Sequence, residues 1–168
     1  YKIELLMKQA KITPDFRSVV SAANSRSESI GAPAAAMELP DGTIITGKTS
    51  NLLGASAALI LNAVKVLGGI DHDTHLIAPS AIEPIQKLKV DYLGSKNPRL
   101  HTDEVLIALS MCAATDKNAQ IALEQLPKLR GCQVHTSVML SQVDIKVFKK
   151  LGVDLTSEPI YEHRSLYH

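Results

Sequence analysis

The sequence has no tryptophan, and aromatic residues make up only 4% of its 168 positions. That leaves few flat side chains on which unpaired bases could stack. Neither sign of charge is in excess: 18 Lys and Arg stand against 17 Asp and Glu, a formal net charge of +1. With no basic run either, no nucleic-acid partner and no membrane surface are expected. Cysteine is scarce. Cys112 and Cys132 are too few and too irregularly placed for a disulfide framework, so a reduced, cytoplasmic setting is expected. No apolar run reaches membrane-spanning length, since "ASAALILNAVKVL" is short and carries Lys65. No signal peptide is legible, and the chain opens without an initiator Met in helix-like sequence, as expected for part of a longer protein. What the sequence does have is aliphatic bulk. Its 45% hydrophobic residues suffice for one good core.

Periodicity then divides the chain. "YKIELLMKQAK" and "TPDFRSVVSAAN" read as helices, the second capped by Thr13 with Pro14 behind it, and the polar "SRSESIGAP" reads as a linker. Residues 1–30 are therefore expected to be a helical lead-in and linker, and residues 31–168 the main domain. "APAAAMEL", Asp41-Gly42 and "TIIT" predict a hairpin, because glycine takes the positive φ of such turns. A buried helix stopped by Gly68 and Gly69 follows, then a short strand "THLIAP" and a helix "AIEPIQKLK" opened by a Ser80–Glu83 capping box, with Pro84 in its first turn. After the loop "LGSKNPRLH", Thr102 is the expected N-cap of the next helix. Thr115-Asp116 opens another, "KNAQIALEQLPKL". "CQVHTSVML" and "VDLTSEP" alternate as strands around a helix capped by Ser141 and Asp144. Alternating helices and strands predict a layered α/β domain.

Gly42, Gly47, Lys48 and Thr49 satisfy the spacing G-x-x-x-x-G-K-[ST] of nucleotide-phosphate loops. The intervening Thr43, Ile44, Ile45 and Thr46 are all β-branched, and such residues favour extended backbone over a loop wrapped round an anion. A strand is the expected structure, with nucleotide binding at Gly42–Thr49 a minor alternative.

Read as a hairpin feeding a helix, "AAAMELPDGTIITGKTS" resembles the opening of the cytidine deaminase fold, and "NPRLHTDEVL" resembles the start of that fold's second metal-binding helix. The resemblance implies a three-layer α/β/α sandwich with a mixed sheet. It does not carry the chemistry. "GASAALILNA" has no His, Cys or Glu, and Arg99 and Thr102 stand where two thiolates would bind zinc. No metal and no cofactor are therefore expected. The segments "LPDGTIITGKTSNLLGASAALILNAVK", "HLIAPSAIEPIQKLKVDYLGSKNPRLHTDEVLIALSMCAAT" and "ALEQLPKLRGCQVHTSVMLS" are more closely similar to a bacterial family of uncharacterised proteins, domain of unknown function family 1846. That family's members are much longer. The similarity implies a C-terminal part whose first partner is the N-terminal portion of the same protein.

Two polar segments are the candidate site. Lys96, Asn97, Arg99, His101, Thr102 and Asp103 precede or open a helix whose free N–H groups attract anions, and Lys48, Thr49, Ser50 and Asn51 lie where a strand hands over to another helix. Each is also explained as a solvated loop with an ordinary cap. In a deaminase-like fold both helix starts would face one cleft. Cys132 and His135 form half a metal site at best, since strand positions three apart face opposite ways. His72 and His75 with Asp71 and Asp73 read equally as a solvated loop. The functional expectation is a module that binds a small anionic ligand or completes a neighbouring active site. The alternative is a structural module that packs on the N-terminal portion or forms a homo-oligomer, marked by an apolar patch on the first two helices.

Overall fold

The Asp41-Gly42 turn forms as its sequence requires. β1 (Ala34–Glu38) and β2 (Ile44–Lys48) pair antiparallel, with Met37 opposite Ile45 and Ala36 opposite Thr46. Gly42 sits at φ 88°, Asp41 Oδ1 accepts the Thr43 N–H at 3.0 Å, and Leu39 N–H donates to the Thr43 carbonyl at 2.8 Å. The segment from Thr43 onward is thus one arm of a hairpin. Its backbone is extended along β1 and does not form a loop that encircles a phosphate. Gly42→Ala should destabilise the protein by about 1 kcal/mol, read as a lower urea midpoint at unchanged m value.

The computed structural model describes residues 17–160; the expected helix at 1–11 and the Thr13–Pro14 start lie outside them. The sheet runs β2-β1-β3-β4, where β3 is Gln133–Thr136 and β4 is Asp154–Ser157. β1 is antiparallel to both neighbours and β4 is parallel to β3, so β2, β3 and β4 all point one way.

β1 is central and buried on both faces by small residues. On one face Ala36 meets Val19 and Ala23 of α1 (Ser18–Ile30). On the other, Ala35 and Met37 meet Leu59, Ile60 and Ala63 of α2 (Ala55–Leu67) and Phe148 of α6 (Gln142–Leu151). The result is an α/β/α sandwich. The opposite side of α2 buries Ala57, Leu61 and Val64 against α3 (Pro79–Lys87), α4 (Thr102–Cys112) and α5 (Lys117–Glu124). A helix covered on two sides must be apolar almost all round, which accounts for its composition.

Several expectations need correcting. The linker proposed at "SRSESIGAP" is helical through Ile30 and ends where Gly31 takes φ 67°. Ser25, Glu28 and Ser29 are exposed on the solvent side of α1 and Arg26 and Ser27 are half-buried, while Val19, Val20 and Ala23 hold the helix down. "THLIAP" forms no strand. Leu76 and Ile77 are buried from a loop into the α2–α5 cluster, and a short apolar run has no period to distinguish the two. α3 starts at Pro79 behind Ala78, with no side-chain cap, so Ser80 is not its cap and Pro84 falls beyond the first turn. The chain then widens into a π turn, Leu88–Tyr92. α5 stops at Glu124, and Leu126–Leu129, which contains Pro127, is a 3-10 turn.

Candidate functional site

The ends of β2 and β3 and the start of β1 open onto a cleft of about 180 Å³, where the N-termini of α2, α4 and α6 converge. Crevices at the carboxyl ends of strands are where α/β sheets commonly place ligands. One backbone device brings α2 and α4 together. Leu53 and Leu100 form an isolated parallel bridge, in which Leu100 N–H donates to the Leu52 carbonyl at 3.0 Å and Gly54 N–H to the Leu100 carbonyl at 3.1 Å. Arg99 Nε adds a bond to the Ser50 carbonyl at 2.6 Å. The two polar segments found in the sequence are therefore stitched side by side.

Only some of their residues reach the cleft. Thr49, Asn97, Arg99 and His101 line it. Lys48 and Lys96 are exposed outside it, Ser50 Oγ accepts the Leu52 and Leu53 N–H groups, and the Asn51 carbonyl accepts from Gln86 Nε2. Asp103 accepts the neighbouring Glu104 N–H. Thr102 is fully buried behind the wall and is not the N-cap. His101 holds that position, its N–H donating to Glu104 Oε1 at 2.8 Å. The glutamate reaching back displaces the cap by one residue and frees the Thr102 hydroxyl for a distant partner.

That partner is Asp144, in the first turn of α6. Its Oδ1 accepts the Thr102 N–H at 3.1 Å and the Thr102 Oγ1 hydrogen at 2.6 Å, while its own N–H donates to Ser141 Oγ at 3.3 Å. Oδ2 lies 3.8 Å from His101 Nδ1, an ion-pair distance longer than a hydrogen bond. Burial works to raise the Asp144 pKa, but His101 and the two Thr102 donors outweigh it and hold the carboxylate below its ordinary value. The His101 pKa is raised, chiefly by Asp144, against the opposing pull of burial and of Lys89. Lys89, buried on the π turn, binds Glu104 Oε1 at 2.9 Å and the Arg99 carbonyl at 2.5 Å, and so braces the loop that carries Arg99 and His101.

The opposite wall is the first turn of α2. It has no side-chain cap and no acidic residue, and its N-cap is Gly54. Ser56 lines the cleft there, is 4% exposed, and its Oγ has no hydrogen-bond partner among the described residues. Neither Ser56 nor Asp144 was legible as a site residue. Ser56 lies in an apolar helix, and Asp144 carries an ordinary capping signal. The hydroxyls of Thr49 and Thr136 donate to backbone carbonyls, and Ser137 Oγ accepts the Ala34 N–H. Among the described residues no hydroxyl or thiol is hydrogen-bonded to the His101 ring, so no nucleophile–base pair is formed. Nor is there a group of three or more His, Cys, Asp or Glu suited to a metal among them, Asp71–His75 included. His135 instead bonds Thr156 Oγ1 at 2.7 Å and Glu158 Oε2 at 3.0 Å.

The molecule is thus an α/β sandwich with a polar cleft at helix N-termini. The chain belongs to the family described as domain of unknown function DUF1846, C-terminal, whose pattern matches residues 15–167. It is 56% identical over 166 residues to a UPF0371 protein of Corynebacterium urealyticum, covering 99% of this chain and 33% of the relative. It is 51% identical over 166 residues to a UPF0371 protein of Streptococcus pyogenes serotype M5, covering 99% of this chain and 34% of the relative. The chain therefore spans about a third of the length of these curated relatives.

Proposed function

We propose that this domain is the C-terminal module of a larger protein and binds a small anionic ligand in the cleft between the starts of α2, α4 and α6. The observation that carries it is the contrast among those helix starts. α4 has Asp103 and Glu104 in its first turn and α6 has Asp144 with the Ser141 cap, whereas α2 has neither acid nor cap and presents its N–H groups beside an unpartnered Ser56 hydroxyl. Such a terminus favours an anion. Arg99 supplies positive charge and His101 a protonatable ring across the cleft, and Thr49 and Asn97 complete its rim. The hairpin-then-helix opening supports a deaminase-like topology in which small residues, Gly54–Ala57, replace metal ligands. A cytoplasmic setting fits the two unpaired cysteines. No described helix is long and apolar enough to cross a membrane.

The test is a carboxylate placed where the ligand would sit. Ala55→Asp should remove the thermal stabilisation that sulfate or phosphate gives the full-length protein. The ligand-free Tm should hold or rise slightly, since an acid in a first turn contributes about 0.5 kcal/mol. Stabilisation by these anions that survives Ala55→Asp would overturn the assignment.

A structural role is favoured by a different observation. Tyr92 at the end of the π turn and Leu93 just after it are 69% and 72% exposed, and Ile107 and Met111, one turn apart on α4, are 61% and 70% exposed. The apolar patch is expected on the first two helices; the one at 1–11 lies outside the described residues, and on α1 Val19, Val20 and Ala23 are buried. Ile107→Lys with Met111→Lys should leave the cleft intact. Dissociation of an oligomer, or of the two parts of the full-length protein after limited proteolysis, would establish that role.

A further inference from the structure

We propose that His101 and Asp144 form a proton-transfer dyad for a small carboxylate- or phosphate-type anion seated at the start of α2, with His101 taking up one proton as the anion binds; this rests on the anion-binding function proposed above. The carboxylate is held in place before any ligand arrives. Thr102 fixes Oδ1 through two hydrogen bonds and Ser141 fixes the Asp144 backbone, which leaves Oδ2 directed at His101 Nδ1. The histidine backbone is fixed in turn by Glu104, and Glu104 by Lys89. Of these anchoring groups Thr102, Glu104 and Lys89 lie outside the cleft lining, and Ser141 is part of it. The 3.8 Å separation is of the length that acid–base pairs adopt before a ligand closes the site. With Nδ1 facing Asp144 and the ring also meeting the Glu104 N–H in the capping box, Nε2 is the nitrogen the proposal assigns to exchange a proton with a ligand.

The charges around the ring decide where a proton goes. Asp144 faces it from α6, Glu104 from its own helix, Lys89 from the π turn and Arg99 from the preceding loop. The walls from α2, β1 and β3 contribute Gly54, Ser56, Ala34 and Thr136, and no titratable group among the described residues. Lys89 donates to Glu104 and to the Arg99 carbonyl, Arg99 Nε donates to the Ser50 carbonyl, and the Asp144 carboxylate is engaged by Thr102. Among the described residues of the cleft, His101 is the group an added anion would protonate, since nearby negative charge favours the protonated imidazole. The proton moves from solvent to the imidazole and no electron transfer is involved. With a ligand carrying a labile proton or a basic leaving atom, the same nitrogen would accept or donate it.

The experiment is calorimetric binding of sulfate, which does not titrate near neutral pH, to the full-length protein in buffers of different ionisation heat at a series of pH values. The expected result is uptake of about one proton per sulfate above the His101 pKa, with affinity falling about tenfold per pH unit there. Asp144→Asn should move that fall to lower pH. His101→Asn, which retains a good N-cap, should abolish the proton uptake and flatten the profile. Sulfate bound with equal affinity across pH and without proton uptake would overturn the dyad and leave the anion seat standing. An Asp144→Asn protein weakened equally at every pH would assign Asp144 a structural role and also overturn the coupling. No sulfate binding at any pH would overturn both.

Discussion

Gly47→Ala is expected to destabilise the protein by about 3 kcal/mol, enough to lower the Tm of a domain this size by roughly ten degrees. Gly47 lies on β2 beneath the first turns of α2, where an added Cβ would stand 2.4 Å from Leu59 N and 2.6 Å from the Ala55 carbonyl oxygen. Those are backbone atoms, so no side-chain rotation relieves the contact. α2 would have to lift from the sheet, opening the Leu59, Ile60 and Ala63 contacts with β1. Because Ala55 and Ser56 belong to the same turn, the cleft should deform with it. Urea unfolding of Gly47→Ala beside Gly42→Ala checks this directly. A Gly47→Ala protein no less stable than Gly42→Ala would mean that β2 and α2 are not in the contact described.

Asp144→Ala should destabilise the protein by a similar amount, about 3 kcal/mol, because it strips the acceptor from two buried Thr102 donors and the counter-charge from His101. Asp144→Asn keeps an acceptor and should recover part of the loss. The dependence on pH follows from the directions of the two shifts. The Asp144 pKa is depressed, so its stabilisation is present above the unfolded value and is lost as pH falls through the folded one. The His101 pKa is raised, so its contribution is present below the unfolded value and is lost as pH rises through the folded one. Both act together between about pH 4 and pH 6.5. The difference in unfolding free energy between the native protein and Asp144→Asn should be greatest in that interval and shrink on either side. A difference constant from pH 3 to pH 9 would remove the electrostatic account of the pair.

The parts of the fold legible in the sequence were those set by local chemistry. Asp41-Gly42 marks its own turn, the β-branched Thr43–Thr46 declare a strand, and Asp116 and Ser141 cap the helices that follow them. Misplaced elements were those decided at a distance. "THLIAP" carries no sign that the sheet has no place for it, and the serines of α1 look like a linker until Val19 and Ala23 meet Ala36. The candidate cleft divides the same way. The polar residues before α2 and α4 stood out, yet Thr49, Asn97, Arg99 and His101 were indistinguishable from Lys48, Lys96 and Asp103, which point elsewhere. Thr102 looked like a cap because its hydroxyl is the commoner cap type, although Glu104 three residues after His101 is a local sign of the true one. The reach of Asp144 to Thr102, 42 residues apart, leaves no mark in a local window.

The single rung between Leu53 and Leu100 makes the two lips of the cleft one mechanical body. Neither loop can swing out alone without breaking the bonds at Gly54 and Leu100, so the entrance keeps a constant gauge and admits guests by size rather than by yielding to them. The same linkage should appear in hydrogen exchange. The Gly54 and Leu100 amides, though 46 positions apart, should exchange at a common rate set by one shared opening, and a guest that slows one should slow the other equally.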